Sequence, residues 1–198
     1  MDNSKYAALF LTESQEHLLE INNALLDLER GRLVPERGVE ERRMSDLAGY
    51  FQTDPIGDEV VYRVYPIPVP EKNSEIMCST TVLEAGDVDG EYYMTKGHFH
   101  TQRDRSEVYI GLSGEGRLVM ATENGDHSVE PIGRGTVNYI PGGWAHRSVN
   151  VGREPLIFFA AYIGDAGHDY ETIERGGFPV LLKKGDNGPE VVDVANAG

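Results

Sequence analysis

Leu18, Ile21, Leu25 and Leu28 recur at steps of three and four, and Leu11 extends the row back by one heptad. Glu13, Gln15, Glu16, Glu20 and Asn22 take much of the remaining surface, and the stretch holds neither Gly nor Pro. The spacing predicts an amphipathic helix over residues 1–30, ended by Gly31. Residues 31–49 read as a charged connector. From residue 50 the pattern shortens. Val60–Tyr65, Thr80–Leu83, Glu107–Ile110, Leu118–Met120, Thr136–Ile140, Leu156–Phe159 and Val180–Leu182 are brief runs rich in β-branched and aromatic residues. Gly and Pro punctuate them at Gly86, Gly90, Gly114, Gly116, Gly133, Gly135 and Pro141-Gly142-Gly143. Short strands without helical periods between them predict a mainly β protein, an antiparallel sandwich or barrel over residues 50–182. Residues 183–198 read as a terminal strand or tail.

The chain has 198 residues and a formal net charge of −15, from 33 acidic and 18 basic side chains. That balance argues against a nucleic-acid backbone or an anionic membrane as partner, since both are bound through clustered Lys and Arg. The single cysteine, Cys78, excludes an intramolecular disulfide framework and a Cys-rich zinc site. No apolar run reaches the ~20 residues of a membrane span, and the first residues lack the pattern of a signal peptide. A cytoplasmic protein is the expectation.

Chemistry concentrates between Thr95 and His146. His98 and His100 form a His-x-His pair; read as a strand, the segment turns residues i and i+2 to the same side, so both rings converge on one ion. Glu107 opens the next strand, and His146 follows the Pro-Gly-Gly turn. Three imidazoles and a carboxylate suit a first-row divalent ion and leave positions open for water or substrate. No Gly-x4-Gly-Lys-Ser/Thr loop is present to cradle a phosphate.

These residues carry a resemblance. Gly135-x5-Pro141-x-Gly143-x2-His146-x3-Asn150 matches the second cupin motif at every defined position. His98-x-His100, Glu107 and Gly114 resemble the first, except that six residues, Thr101 to Ser106, separate His100 from Glu107 where cupins usually have three or four. The longer spacer, with Thr95-Lys96-Gly97-His98-Phe99-His100, Asp104-Arg105-x-Glu107-Val108-Tyr109 and Asp165-Ala166-Gly167-His168-Asp169-Tyr170, resembles the cupin-type phosphoglucose isomerases. The resemblance runs from about Arg43 to Phe178. It implies a double-stranded β-helix (cupin) barrel, a homodimer, and interconversion of glucose 6-phosphate with fructose 6-phosphate. It implies one divalent ion per subunit on His98, His100, Glu107 and His146: Fe(II), with Mn(II), Ni(II) or Zn(II) as alternatives.

For the substrate, the resemblance implies phosphate contacts from Thr81, Thr95, Gly97 and Tyr162, with Tyr62 nearby. Tyr109, His168 and Tyr170 are implied beside the sugar, with His168 assisting ring opening and Phe158 lining the pocket. On chemistry alone His168 is equally a fourth imidazole ligand or a structural histidine. Glu107 is the candidate base, in tension with its role as a ligand; a hydride shift between carbons held by the metal is the other route. Two features depart from the family. Gly143 stands where an aromatic commonly precedes Trp-Ala-His. Residues 1–30 resemble instead the first helix of a CheA-type histidine-phosphotransfer domain. Two other readings of the residues are a cupin Fe(II) oxygenase and a non-catalytic sugar-phosphate-binding module.

Overall fold

The computed structural model describes residues 38–67 and 69–196, and outside these only residues 15, 27 and 30. The predicted helix over 1–30 therefore lies outside the described residues. Among those described, the chain runs through β1 (Glu40–Arg43), β2 (Val60–Pro66), β3 (Ile76–Leu83), β4 (Asp87–Val88), β5 (Glu91–Tyr92), β6 (Glu107–Ser113) and β7 (Glu115–Thr122). It continues through β8 (His127–Gly133), β9 (Val137–Ile140), β10 (Trp144–Asn150), β11 (Leu156–Ile163), a short helix α1 (Glu171–Gly176), β12 (Val180–Gly185) and β13 (Gly188–Asp193).

All pairings between these strands are antiparallel. The sheets have the orders β1-β2-β3-β11-β6-β9, β10-β7-β8 and β13-β12-β5-β4. They close around one core in a double-stranded β-helix, the jelly-roll barrel of the cupins. Leu83, Leu118, Ile132, Ile140, Leu156 and Phe158 are buried within it. Fully burying a side chain of this size contributes roughly 1.5–3 kcal/mol, so such layers drive closure. Asn150 sits in the same core without penalty. Its Nδ2 donates to the carbonyls of Leu83 and Glu154, each at 2.9 Å, and its Oδ1 accepts from Gly152 N–H.

The connector is where the sequence misleads. Glu40–Arg43 is a strand at the edge of the large sheet, paired to β2, and the 3-10 turn Met44–Leu47 buries Met44 and Leu47 in the core. Charge hid the strand because an edge strand with one wet face tolerates Glu and Arg. Strands β3, β6, β7 and β11 also extend beyond their apolar centres. The C-terminal tail is a hairpin, β12 pairing β13, with β12 running across residue 183.

Candidate metal centre and substrate cavity

His98 and His100 lie not on a regular strand but on an extended segment, Met94–His100, laid along the free edge of β10. Single bridges hold it: Met94 to Val149, His98 to His146, and Phe99 to Asp169. The His98 and His146 amides donate to each other's carbonyls at 3.2 and 3.1 Å. Two ligands are thus locked in register by backbone alone. Glu107, first residue of β6, enters from the opposite sheet.

The donor atoms of His98, His100, Glu107 and His146 all lie within 4.8 Å of one another. His100 and His146 present Nε2 at 3.1 and 2.9 Å from Glu107 Oε2, but the His146 nitrogen is out of line for a hydrogen bond. His98 Nε2 and both ring nitrogens of His146 are buried with no hydrogen-bond partner. The Arg105 carbonyl, which can only accept, sits 2.9 Å from His100 Nδ1 and so assigns the ring hydrogen to that nitrogen. A neutral His100 then aims a lone pair at a carboxylate, an arrangement that requires a cation between them or a proton on the ring. Orphaned nitrogens, converging lone pairs and a ring oriented by a backbone carbonyl are the requirements of a metal centre. The residues fit the ion.

The electrostatics agree. Burial, with His146, His168 and His100 alongside, pushes His98 well below its usual pKa, so it stays neutral and able to ligate. Burial alone would raise Glu107, but the adjoining His146 and the His100 hydrogen bond overcome it and hold the carboxyl at about 2. Glu107 is ionised at neutral pH.

A cavity of about 490 Å³ opens onto this cluster. Its lining includes every substrate residue expected from the sequence: Tyr62, Thr81, Thr95, Gly97, Tyr109, Phe158, Tyr162, His168 and Tyr170. Register explains much of this. Val64 pairs Thr81, Thr81 pairs Phe158, and Tyr162 pairs Glu107 across neighbouring strands, so they share the inner face. Tyr109 and Phe158 stack at 4.7 Å between ring centroids. His168 lies 4.4 Å from His98, centroid to centroid, and stacks on Tyr170 at 5.8 Å. Burial raises the pKa of Tyr62, Tyr109, Tyr162 and Tyr170, keeping each a neutral donor.

Gly143 does not line the cavity, and a Cβ there would meet nothing within 4 Å. Sequence reasoning missed Arg42, the one Lys or Arg among the described lining residues. Arg42 pairs Tyr62 across β1 and β2, which turns both side chains to the same face. It also missed Met77 and Ser79, which counting back in twos from Thr81 along β3 would have reached.

Four ligands converging inside a double-stranded β-helix define a metal-binding cupin barrel. The family model for Glucose-6-phosphate isomerase matches residues 41–191. A glucose-6-phosphate isomerase of Thermococcus kodakarensis is 44% identical over 174 residues, 85% of this chain and 92% of that protein. One from Pyrococcus horikoshii is 45% identical over 159 residues, covering 77% and 84%. Among solved structures, an oxalate oxidase aligns at a TM-score of 0.47 with 13% identity, over 57% of this chain and 56% of that one. The chain belongs to the glucose-6-phosphate isomerase family.

Proposed function

We propose that this chain interconverts glucose 6-phosphate and fructose 6-phosphate in the cavity above the metal centre. The observation that carries the reading is one cavity in which His98, Glu107 and His146 of the ligand cluster face a wall rich in Thr and Tyr hydroxyls. A bound divalent ion, inferred to be Fe(II) with Mn(II), Ni(II) or Zn(II) as alternatives, would polarise the sugar carbonyl and stabilise negative charge on its oxygens.

The chain's own residues do the rest. Glu107, ionised and facing the cavity, takes the proton from C2 of the open-chain aldose. The C2–H electrons form the C1=C2 bond while the C1=O π electrons move onto O1, giving an enediolate; the same carboxyl then returns its proton to C1 as the O2 hydroxyl proton passes to O1 and C2=O forms. Thr95 Oγ1 accepts the Ser148 amide at 3.0 Å, leaving its own hydrogen for a phosphate oxygen. Thr81, Tyr162 and the Gly97 amide complete that contact without charge, and Arg42 adds the positive charge a phosphate dianion favours. His168 and Tyr170 face the sugar, where an imidazole relays the ring-opening proton. The exposed side chains of Ile110, Val137 and Tyr139, grouped on β6 and β9, support a homodimer.

The test is an enzyme-coupled assay of fructose 6-phosphate conversion on chelator-stripped protein, before and after adding each divalent ion. Activity should vanish with the metal and return with it. No turnover in folded, metal-loaded protein would overturn the reading and leave sugar-phosphate binding or oxygen chemistry in its place.

A further inference from the structure

The six residues between His100 and Glu107 are longer than a cupin turn requires, and of them the metal centre uses only the Arg105 carbonyl that orients His100. Their surroundings give them work. Gln102 N–H donates to the Ala166 carbonyl at 2.9 Å, and Phe99 and Asp169 exchange amide hydrogen bonds at 3.2 and 2.8 Å. Arg105 grips Asp165 through both carboxylate oxygens, Nε to Oδ1 at 2.7 Å and Nη2 to Oδ2 at 2.9 Å. Arg103 Nη2 donates to Asp169 Oδ2 at 2.6 Å, while its Nη1 donates to the His100 carbonyl. Its guanidinium lies 4.6 Å from the centroid of the Phe99 ring. On the other side, a Cβ at Gly142 would stand 2.8 Å from the Asp104 carbonyl, so the spacer also rests on the turn that precedes His146.

We propose that this spacer is a clasp: Arg103 and Arg105 position the 165–170 loop, and with it His168 and Tyr170, over the metal centre. Resting on the isomerase reading, the inference names the positioning residues of that site. Neither arginine lines the cavity. Each reaches the ligand segment on one side and the sugar-facing loop on the other: Arg105 through its carbonyl to His100 and its guanidinium to Asp165, Arg103 through the His100 carbonyl and Asp169. A bidentate arginine–carboxylate pair fixes orientation as well as distance, which is what a ring placed 4.4 Å from a ligand histidine requires.

The experiment is a double-mutant cycle read in two independent ways. Arg105→Met should lower kcat/KM for fructose 6-phosphate tenfold or more, with metal content unchanged, and Arg105→Lys should fall between it and the parent. In a His168→Asn background, Arg105→Met should cost less than twofold further, because its effect passes through His168. A fully additive loss, or parental activity in Arg105→Met, overturns the clasp. Should Arg105→Met fold poorly, Asp165→Asn removes the same pair with little change of shape and carries the same expectation. Amide hydrogen exchange over 165–170 in metal-free protein is the second readout, independent of turnover. It should quicken in the variants while the barrel strands keep their protection; unchanged exchange also overturns the proposal.

Discussion

Two walls of one cavity are held by opposite means. Tyr62, Thr81, Glu107, Tyr109, Phe158 and Tyr162 stand on paired strands of the large sheet, where each neighbour's ladder sets its position. His98, His100, His168 and Tyr170 face them from extended and looped chain, placed by single bridges, two arginine–aspartate pairs and backbone hydrogen bonds. A ladder spreads the placement of one residue over many bonds. A clasp concentrates it in a few. Changes on the strand wall should therefore register in stability and chemistry together. Partly exposed ion pairs add only about 0–1 kcal/mol each to folding, so changes in the clasp should register in geometry with little effect on melting.

The largest effect belongs to the strand wall. Glu107→Gln keeps the shape of a side chain held in the β6 ladder and removes the carboxylate that carries the proton. Turnover should fall on the order of 10³-fold, the usual contribution of a positioned base. Binding of a sugar phosphate, measured by calorimetry on metal-loaded protein, should hold within a few-fold. Turnover near that of the parent would mean that hydrogen moves between the carbons without a carboxylate, as a hydride.

Much of this was legible in the sequence, and the reason is local. Glu107 and His146 fall on β-runs whose period fixes which way they face, and the His-x-His spacing by itself pairs His98 with His100. Thr81, Phe158 and Tyr162 fall on strands whose apolar centres stand out. What escaped was placed by long-range contact. Arg42 lies in a run of Glu and Arg that reads as solvated surface, and only the pairing of β1 to β2 turns it into the cavity. Arg105 and Asp165 are separated by 60 residues, so no period or composition joins them. The unusual spacer was visible from the start, yet its purpose was not, because a clasp exists only once the spacer and the 165–170 loop are both in place.

A smaller effect separates backbone strain from crowding. Gly97 and Gly143 both adopt positive φ, +74° and +83°. A Cβ on Gly143 meets open space, whereas one on Gly97 would stand 2.7 Å from Phe178 and 3.0 Å from both Arg147 and the His146 carbonyl. Gly143→Ala should lose only the cost of the left-handed backbone, about 1–2 kcal/mol. Gly97→Ala should lose about 2–4 kcal/mol, because overpacking adds to it. Arg147 makes the collision hard to relieve. It is buried, donates to the Lys96 carbonyl through Nε and Nη2 at 3.3 and 2.8 Å, and lies 4.5 Å from the centroid of the Phe178 ring. Denaturant unfolding of the two variants side by side measures the difference; equal losses would show that the turn yields and that Arg147 does not brace it.

The smallest effect tests the clasp by pH. Arg103 first, then Thr172, pulls the Asp169 carboxyl from the ordinary 3.8 down to about 2. A carboxyl depressed by folding binds fewer protons folded than unfolded, so its contribution is full above pH 4 and is lost as pH falls toward 2. The 165–170 loop should then keep its amide protection through pH 3 while the pair is intact. In Arg103→Met the carboxyl returns toward its ordinary range, and protection of the loop should decline about one pH unit or more earlier. Exchange rates compared at pH 3 and pH 5 give the answer directly, with the barrel strands as the internal standard. Loss of protection at the same pH in both proteins would place the loop's restraint in its backbone bridges. In that case the backbone bonds of Phe99 to Asp169 and of Gln102 to Ala166, and not the Arg103–Asp169 pair, would hold that end of the loop in position.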